Sequence, residues 1–221
     1  MERKGSSIDE AAKTRLNLES PGGDPGESTR AFYEEHAREY FDRTVSADLG
    51  PIYERFLQYV KPGGRILDVG SGSGRDLKAL RARGYNAVGI DASPTLAKLA
   101  AEFSGTTCLP MLFEELRFER AFDAVWACAS LLHLPKYNLL SVLRRLYGVL
   151  VSGGVLFVSI QLGRGEKLLP DGRFFAYYAQ DEFARLLNRT GFSVDQTWIS
   201  KDSLRSERPI RWLNIIAHRE N

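Results

Sequence analysis

The chain has 221 residues, of which 43% are hydrophobic and 26% are charged, and its formal net charge at pH 7 is +2. This length suits one domain with a sizeable core, or one domain and a tail. The nearly balanced charge gives no electrostatic argument for a nucleic-acid or membrane partner, and Cys108 and Cys128 are too few for a disulfide framework or a structural zinc site. With no long apolar run and no apolar signal-peptide core, we expect a soluble cytoplasmic protein.

The first part of the chain predicts a tail followed by helices. Residues 1–28 are rich in Ser, Gly, Glu, Lys and Pro, which is typical of a flexible extension. From Ala31 aromatic and apolar residues recur at helical spacing, and a second helix is predicted over residues 49–60, where the run Lys61-Pro-Gly-Gly64 ends it. We therefore expect the folded domain to be 29–221, with the helices of 29–60 as a lid.

Strands and helices then alternate along the chain. Repeated βα units imply a parallel sheet with right-handed crossovers. The final strand follows its neighbour through a polar loop without a helix, so it should pair antiparallel. The pattern predicts an α/β, Rossmann-like fold, with a seven-stranded mostly parallel sheet, the last strand antiparallel and helices on both faces. The predicted strands are 65–69, 86–90, 105–109, 122–127, 154–160, 193–199 and 210–218, and the predicted helices are 74–83, 94–103, 137–150 and 181–190.

A glycine-rich turn, in the run RILDVGSGSGRD of residues 65–76, joins the first strand to the helix after it. Gly70, Gly72 and Gly74 leave room for a ligand near the backbone, and each can adopt a positive φ at little cost. The next strand ends in Asp91, where a carboxylate can accept hydrogen bonds from both hydroxyls of a ribose. This order of strand, turn, helix and acid-tipped strand is typical of a site for an adenosine-containing cofactor.

The spacing of the glycines and a second acid narrow the choice of cofactor. The glycines alternate as G-x-G-x-G, whereas the dinucleotide fingerprint is G-x-G-x-x-G with a pyrophosphate on the helix N-terminus. Asp68 lies on the strand itself, two residues before the first glycine. A carboxylate at that point would repel a pyrophosphate, but it suits a ligand with an ammonium and a sulfonium.

Together these residues resemble motif I of the class I S-adenosylmethionine-dependent methyltransferases, and the resemblance extends from about Thr29 to the C-terminus. It implies S-adenosyl-L-methionine as cofactor and S-adenosyl-L-homocysteine as product, with Asp68 facing the methionine ammonium and Asp91 holding the ribose. Glu114 would replace the acid that the family places near the adenine, although it can equally be an exposed helix-start carboxylate. The residues implied to bind the cofactor are Asp68, Gly70, Ser71, Gly72, Gly74, Arg75, Asp91, Ala92, Phe113, Glu114, Ala127 and Tyr40.

The fourth predicted strand delivers residues 128–133 to the carboxyl edge of the sheet, where ligands of α/β proteins bind. His133 is the side chain there that can act as a general base near pH 7, and the alternative is a helix-start histidine bonded to the backbone. No carboxylate cluster suggests a catalytic metal. Several arginines and aromatic residues are candidates for the acceptor site. Considered one at a time, each arginine is better explained as a surface residue and each aromatic residue as part of the core packing. The candidates for the acceptor site are Tyr33, Ser130, His133, Arg173, Tyr177, Tyr178 and Arg211.

Three functions are compatible with these motifs. The short loops and the run Gly74-Arg-Asp76 are similar to the corresponding parts of compact bacterial small-molecule methyltransferases, including those of the tellurite-resistance type. A small-molecule methyltransferase is therefore the first hypothesis. A methyltransferase for RNA or protein is the second, and it would need a basic groove with aromatic residues at its mouth. A non-catalytic module that binds S-adenosylmethionine is the third. The sequence leaves the acceptor atom and the oligomeric state open.

Overall fold

The computed structural model describes residues 24–201 and 210–220, so the predicted extension up to residue 23 lies outside the described residues. Helices α1 (Pro25–Glu35), α2 (Ala37–Thr44) and α3 (Gly50–Leu57) precede the first strand. Helix α1 thus begins inside the stretch that we expected to be flexible, because Asp24 caps it. The Asp24 side chain accepts a hydrogen bond from the Gly26 N–H, and a proline occupies the first turn, as is common at helix starts.

The remaining elements follow the predicted alternation, with shifts of a few residues at their ends. The strands are β1 (Arg65–Val69), β2 (Asn86–Asp91), β3 (Cys108–Pro110), β4 (Phe122–Cys128), β5 (Leu150–Gln161), β6 (Glu166–Leu168), β7 (Phe174–Ala176), β8 (Phe192–Lys201) and β9 (Arg211–Arg219). The helices are α4 (Arg75–Ala82), α5 (Pro94–Ser104), α6 (Lys136–Val149) and α7 (Gln180–Asn188).

The main sheet has seven strands in the order β3-β2-β1-β4-β5-β9-β8. The pairs from β3 to β5 are parallel, whereas β9 runs antiparallel to both β5 and β8. The predicted α/β fold with an antiparallel last strand is therefore confirmed. Because the parallel strands β1, β2 and β4 are adjacent, their carboxyl ends lie side by side and bring the glycine turn, Asp91 and the segment after β4 to one edge.

Helices cover both faces of this sheet. On one face, apolar residues of α3, α4 and α5 surround the fully buried Trp126, whose ring stacks on Phe157 with centroids 4.1 Å apart. On the other face, α6 and α7 pack their apolar residues against β4, β5 and β9. Within the described ranges, no helix is long and apolar enough to cross a lipid bilayer.

The connection between β5 and α7 contains two short strands that the sequence analysis did not predict. Strands β6 and β7 pair antiparallel in a small separate sheet, with Leu168 opposite Phe174. Three-residue strands are too short to show a periodic pattern, so sequence periodicity does not detect them. This hairpin lies against helix α1: the Phe174 N–H donates to the Thr29 hydroxyl of that helix, at 2.9 Å.

Candidate active site

A cavity lies at the carboxyl edge of the strands, with helix α1 along one side, and encloses about 890 Å³ including its open mouth. Ten of its lining residues were predicted for the site, and they come from helices α1 and α2 and from the ends of β1, β2, β3 and β4 or the segments after them. These are Tyr33, Tyr40, Gly70, Gly72, Asp91, Ala92, Phe113, Glu114, Ser130 and His133. The other lining residues are Asp24, Gly26, Thr29, Arg30, Ser93, Leu96, Met111, Leu112, Ala129, Leu134, Pro135 and Asn138.

The glycine turn forms one wall of this cavity, and two of its positions admit no side chain. Gly70 has φ +78°, and a Cβ atom there would lie 2.5 Å from the Cβ of Ser130. Gly72 has φ +54°, and its Cβ would lie 3.0 Å from the ring of Tyr40. Both positions combine a left-handed backbone with close neighbours, so glycine is required for the turn and leaves a backbone surface open to a ligand.

Asp91 is held at the end of β2 by the backbone of two loops. One carboxylate oxygen accepts the Gly72 N–H at 2.8 Å, and the other accepts the Ser93 N–H at 2.9 Å. Burial raises the pKa of Asp91 to about 6, although these two hydrogen bonds partly oppose the rise. A carboxylate oxygen has more than one lone pair, so both oxygens can also accept hydrogen bonds from a ligand in the cavity.

Asp68 and Ser130 each have a buried polar atom without a partner among the described residues. These atoms are Asp68 Oδ2 and Ser130 Oγ, and no described group makes a hydrogen bond to either. Burial and then the neighbouring charge of Asp76 raise the pKa of Asp68 well above its usual value. An unpaired buried carboxylate is costly, and an ammonium group would satisfy it. The residues present therefore fit S-adenosylmethionine, with Asp68 available to its ammonium and Asp91 to its ribose.

The segment after β3, in which the resemblance implies an adenine-binding acid, forms another part of the cavity wall. Phe113 and Glu114 both line the cavity within a short 3-10 turn. The carboxylate of Glu115 fixes this turn by accepting the Leu112 N–H at 2.7 Å. Glu114 thus has the location expected of an adenine-binding acid; its role stays a prediction.

Tyr33 and His133 meet across the cavity wall. The Tyr33 hydroxyl lies 2.9 Å from His133 Nε2, and His133 Nδ1 lies 2.8 Å from the carbonyl oxygen of Phe174. Burial lowers the pKa of His133 to about 4. His133 is thus neutral near pH 7 and has little strength as a base, which counts against the predicted role of general base. Both of its nitrogens already have protein partners.

Besides Asp68, four residues expected to touch the cofactor do not line the cavity. Ser71 donates to backbone oxygens beneath the turn, and Gly74 packs against Ala100 of helix α5. Ala127 is fully buried in the core, because the strand turns toward the cavity only at Ala129, which has φ +54°.

Arg75 is the fourth of these residues, and its guanidinium is already paired. It binds both oxygens of Asp76, at 2.7 and 3.1 Å. The same carboxylate accepts hydrogen bonds from Tyr53 at 2.5 Å and from Trp126 Nε1 at 2.9 Å. Burial alone would raise the pKa of Asp76, but the charge and hydrogen bonds of Arg75 and the other donors lower it below its usual value. Arg75 therefore supports the turn from below.

The four predicted acceptor-site residues beyond β5 also lie off the cavity. Tyr178 is fully buried in the core, where Lys136 covers its ring. Tyr177 packs against the same core, and Arg211 is exposed at the start of β9. Arg173 stands behind Tyr33, with its guanidinium over Phe32 and paired to Asp171.

The sequence analysis did not predict the contacts that attach helix α1 to the segment after Asp91. Glu34 accepts hydrogen bonds from the Ser93 hydroxyl at 2.5 Å and from the Thr95 N–H at 3.1 Å. Ser93 is also the N-cap of helix α5, since its hydroxyl accepts the Leu96 N–H. The N-cap was recognisable from the Ser-Pro pair, but a partner so distant in sequence leaves no local signal.

A seven-stranded sheet with a reversed last strand, and a glycine turn and an acid facing one cavity, define a class I S-adenosylmethionine-dependent methyltransferase. A family model described as a methyltransferase domain matches residues 38–197. The chain belongs to this methyltransferase family, which confirms the predicted enzyme class and its cofactor. The further likeness to tellurite-resistance-type enzymes stays a prediction.

Individual relatives are similar over different parts of the chain. A ubiquinone biosynthesis O-methyltransferase of Xanthomonas campestris is 34% identical over 105 residues, which are 44% of this chain and 43% of that protein. The chain thus spans less than half the length of the curated relatives of this name that it matches. A 1,6-didemethyltoxoflavin-N1-methyltransferase of Burkholderia thailandensis has a similar fold, with a TM-score of 0.75 at 20% identity over 92% of this chain and 94% of that one. Magnesium protoporphyrin IX methyltransferase of Synechocystis gives a TM-score of 0.71 at 15% identity over 91% of this chain and 100% of that one.

Proposed function

We propose that this methyltransferase acts on a small molecule that binds beneath helix α1. One observation carries the proposal: a continuous cavity joins the glycine turn and Asp91 to Tyr33 and His133. The names of the similar Xanthomonas, Burkholderia and Synechocystis enzymes also refer to small organic molecules.

We further propose that the domain of residues 29–221 uses its N-terminal helices, within residues 29–60, as a lid. Helix α1 contributes Thr29 and Tyr33 to the cavity wall, and helix α2 contributes Tyr40. Glu34 holds helix α1 to the loop after Asp91, while Thr29 holds it to β7. A lid fixed at both ends would exclude water and fix the orientation of an acceptor, which can contribute roughly 7–11 kcal/mol to a two-reactant step.

The chemistry divides between the cofactor and the chain. The sulfonium cofactor supplies an activated methyl group, whose bond to sulfur breaks as the bond to the acceptor forms. The residues bind and orient: Asp68 would hold the ammonium of the cofactor and Asp91 its ribose, while Phe113 lines the cavity beside them. The apolar side chains of Met111 and Leu134 line the same cavity and limit the access of water.

The charge around the cavity argues against an RNA acceptor. The charged residues that line it are Asp24, Arg30, Asp91 and Glu114, of which only one is basic. A groove for a polyanion would be dominated by Lys and Arg. A protein acceptor would need an open channel for a peptide, whereas helix α1 borders this site. A non-catalytic module would have no need of the Tyr33–His133 wall beside the cofactor residues.

The acceptor class can be tested with isotopically labelled S-adenosylmethionine. Cell extract is divided into small-molecule, RNA and protein fractions, and each is incubated with the protein and the labelled donor. We expect the label in the small-molecule fraction, where mass spectrometry identifies the product. Label confined to RNA or protein would overturn the small-molecule proposal, and no binding of S-adenosylhomocysteine by calorimetry would overturn cofactor use itself.

Removal of the Asp91 carboxylate should weaken cofactor binding. In Asp91→Ala the charge-assisted hydrogen bonds to the ribose are lost, which corresponds to roughly 1.5–3 kcal/mol in the binding of S-adenosylhomocysteine. The matched control is Asp123→Ala, because Asp123 also accepts a backbone N–H, from Arg65 at 2.7 Å, and lies at the other end of the strands. Calorimetry should show a loss for Asp91→Ala only. Equal affinities for the two variants would remove Asp91 from the ribose site.

The affinity for S-adenosylhomocysteine should also fall in acid. The pKa of Asp91 is raised to about 6 in the free protein, so the carboxyl group gains a proton as the pH falls through that value. Ribose hydroxyls favour the ionised form, so binding must then displace the proton, and one such group lowers affinity about tenfold near pH 5 relative to neutral pH. The raised pKa of Asp68 acts in the same direction. Calorimetric titrations across this range check the slope, and Asp91→Asn should flatten it; a wild-type affinity that is constant down to about pH 5 would contradict the linkage.

A further inference from the structure

A chain of hydrogen bonds at the cavity wall fixes the direction of each proton in it. The carbonyl oxygen of Phe174 can only accept, so the His133 Nδ1 that lies 2.8 Å away must carry a proton. In a neutral imidazole the other nitrogen, Nε2, is then bare and must accept. The Tyr33 hydroxyl, 2.9 Å from Nε2, therefore donates its proton to His133.

Because of these hydrogen bonds, the Tyr33 hydroxyl can only accept a hydrogen bond from a ligand. Its single proton is directed at His133, so a molecule in the cavity that contacts the Tyr33 oxygen must provide the hydrogen. The guanidinium of Arg173 stands behind Tyr33 and hydrogen-bonds to it, which lowers the pKa of Tyr33 in part, although burial raises that pKa overall. If one lone pair of the Tyr33 oxygen accepts a hydrogen bond from Arg173, the second lone pair can still accept one from a ligand.

The surroundings hold Tyr33 in this orientation. Its ring packs edge-on against His133 and against Tyr40, with centroid distances of 5.2 and 5.1 Å. Phe174 anchors the same wall twice, since its carbonyl accepts from His133 and its N–H donates to Thr29, one turn before Tyr33 in helix α1. A group fixed by packing and by hydrogen bonds is ready to select a ligand before the ligand arrives.

His133 cannot take the place of Tyr33 in this contact. Both of its ring nitrogens are occupied by protein atoms. Its conversion to an imidazolium is opposed first by burial and also by the positive charge of Arg173. His133 thus acts through Tyr33 and not on the acceptor.

We propose that Tyr33 binds an O–H or N–H group of the methyl acceptor, and that His133 is a positioning residue that turns the Tyr33 hydroxyl toward itself. This inference rests on the proposed small-molecule transfer and narrows its substrate class. The acceptor is a small molecule with a polar hydrogen at or beside the methylated atom, such as a phenol or a ring N–H heterocycle. Molecules without such a hydrogen, such as thioethers and tertiary amines, do not satisfy Tyr33.

The test compares variants in two assays: binding of S-adenosylhomocysteine, and labelling of the small-molecule fraction of cell extract by isotopic S-adenosylmethionine. Tyr33→Phe and His133→Phe should keep cofactor affinity within about twofold and lose about ten- to a hundredfold in labelling at low extract concentration, since a donor group of the acceptor is left unsatisfied. The loss should shrink as the extract is concentrated, which marks a binding role. His133→Gln should recover much of the rate, because its amide oxygen can accept from Tyr33.

Tyr178→Phe is the matched control, because the Tyr178 hydroxyl is buried, has no hydrogen-bond partner in the described part of the chain and should be dispensable. Labelling by Tyr33→Phe equal to that of Tyr178→Phe would overturn this inference alone. A His133→Gln variant as inactive as His133→Phe, together with a wild-type rate that follows the titration of His133, would instead make His133 the base. No label in the small-molecule fraction would overturn the proposed function and this inference with it. Labelled products whose precursors lack a polar hydrogen would overturn the inference while leaving the function intact.

Discussion

Gly70→Ala should nearly abolish methyl transfer and destabilise the fold. The new Cβ would lie 2.5 Å from the Cβ of Ser130, on a residue with φ +78°. The left-handed backbone costs a residue with a Cβ roughly 1–2 kcal/mol, and the overlap adds about 1–3 kcal/mol of packing strain. Either the turn or the Ser130 loop must move, and a shift of about 1 Å in a reacting group can reduce the rate a hundredfold. Urea unfolding and the labelled-methyl assay measure the two effects.

Gly63→Ala separates backbone strain from the contact with Ser130. Gly63 has nearly the same φ, +72°, but a Cβ there would have no atom within 4 Å. We therefore expect Gly63→Ala to lose roughly 1–2 kcal/mol of unfolding free energy and to keep its affinity for S-adenosylhomocysteine. If Gly70→Ala bound S-adenosylhomocysteine as well as Gly63→Ala does, the glycine turn would not form part of the cofactor site.

The cofactor end of the cavity was predictable because its information is local. Gly70, Gly72 and Asp68 lie within a few residues on one strand and its turn, and their spacing determines where they point once the strand is placed. Asp91 ends the neighbouring strand, and parallel pairing brings the ends of β1 and β2 together. Ligands of α/β proteins bind at the carboxyl ends of the parallel strands, so the order of the strands alone indicates where this site lies.

Other parts of the site, including some of the expected cofactor contacts, were less predictable because their surroundings come from distant segments. Arg75 has its partner next to it in sequence, but its commitment to Asp76 depends on Tyr53 and Trp126, which arrive from helix α3 and strand β4. The positive φ at Ala129 bends the chain, so Ala129 lines the cavity and Ala127 does not. A sequence pattern does not show this bend.

For His133, the sequence predicted the location of the residue, but the surroundings of its side chain change its chemistry. The sequence predicted a titratable histidine at the carboxyl edge, and it does line the cavity. Its base strength, however, is reduced by burial and by Arg173, which lies far along the chain. A pKa depends on the whole environment of the group, so motif reading identifies the residue and not its protonation state.

Asp76→Ala should cause the largest loss of stability among these variants. Asp76 is 6% exposed and neutralises Arg75, whose side chain is 21% exposed. Removing one partner of a buried ion pair leaves an uncompensated charge and typically costs about 3–5 kcal/mol. The hydroxyl of Tyr53 and the Nε1–H of Trp126 would lose their acceptor at the same time. We expect the midpoint of urea unfolding to fall accordingly.

The exposed pair of Asp181 and Arg185 is the matched control. It joins the same residue types at 2.8 Å, with side chains 69% and 67% exposed. Water replaces an exposed partner at little cost, so Asp181→Ala should leave the unfolding midpoint unchanged. A small loss in Asp76→Ala, comparable to that in Asp181→Ala, would mean that water reaches Arg75 and that the pair is not structural. Because Asp76 ties helices α3 and α4 to β4 directly beneath the glycine turn, a large loss should be accompanied by weaker binding of S-adenosylhomocysteine, although Asp76 does not line the cavity.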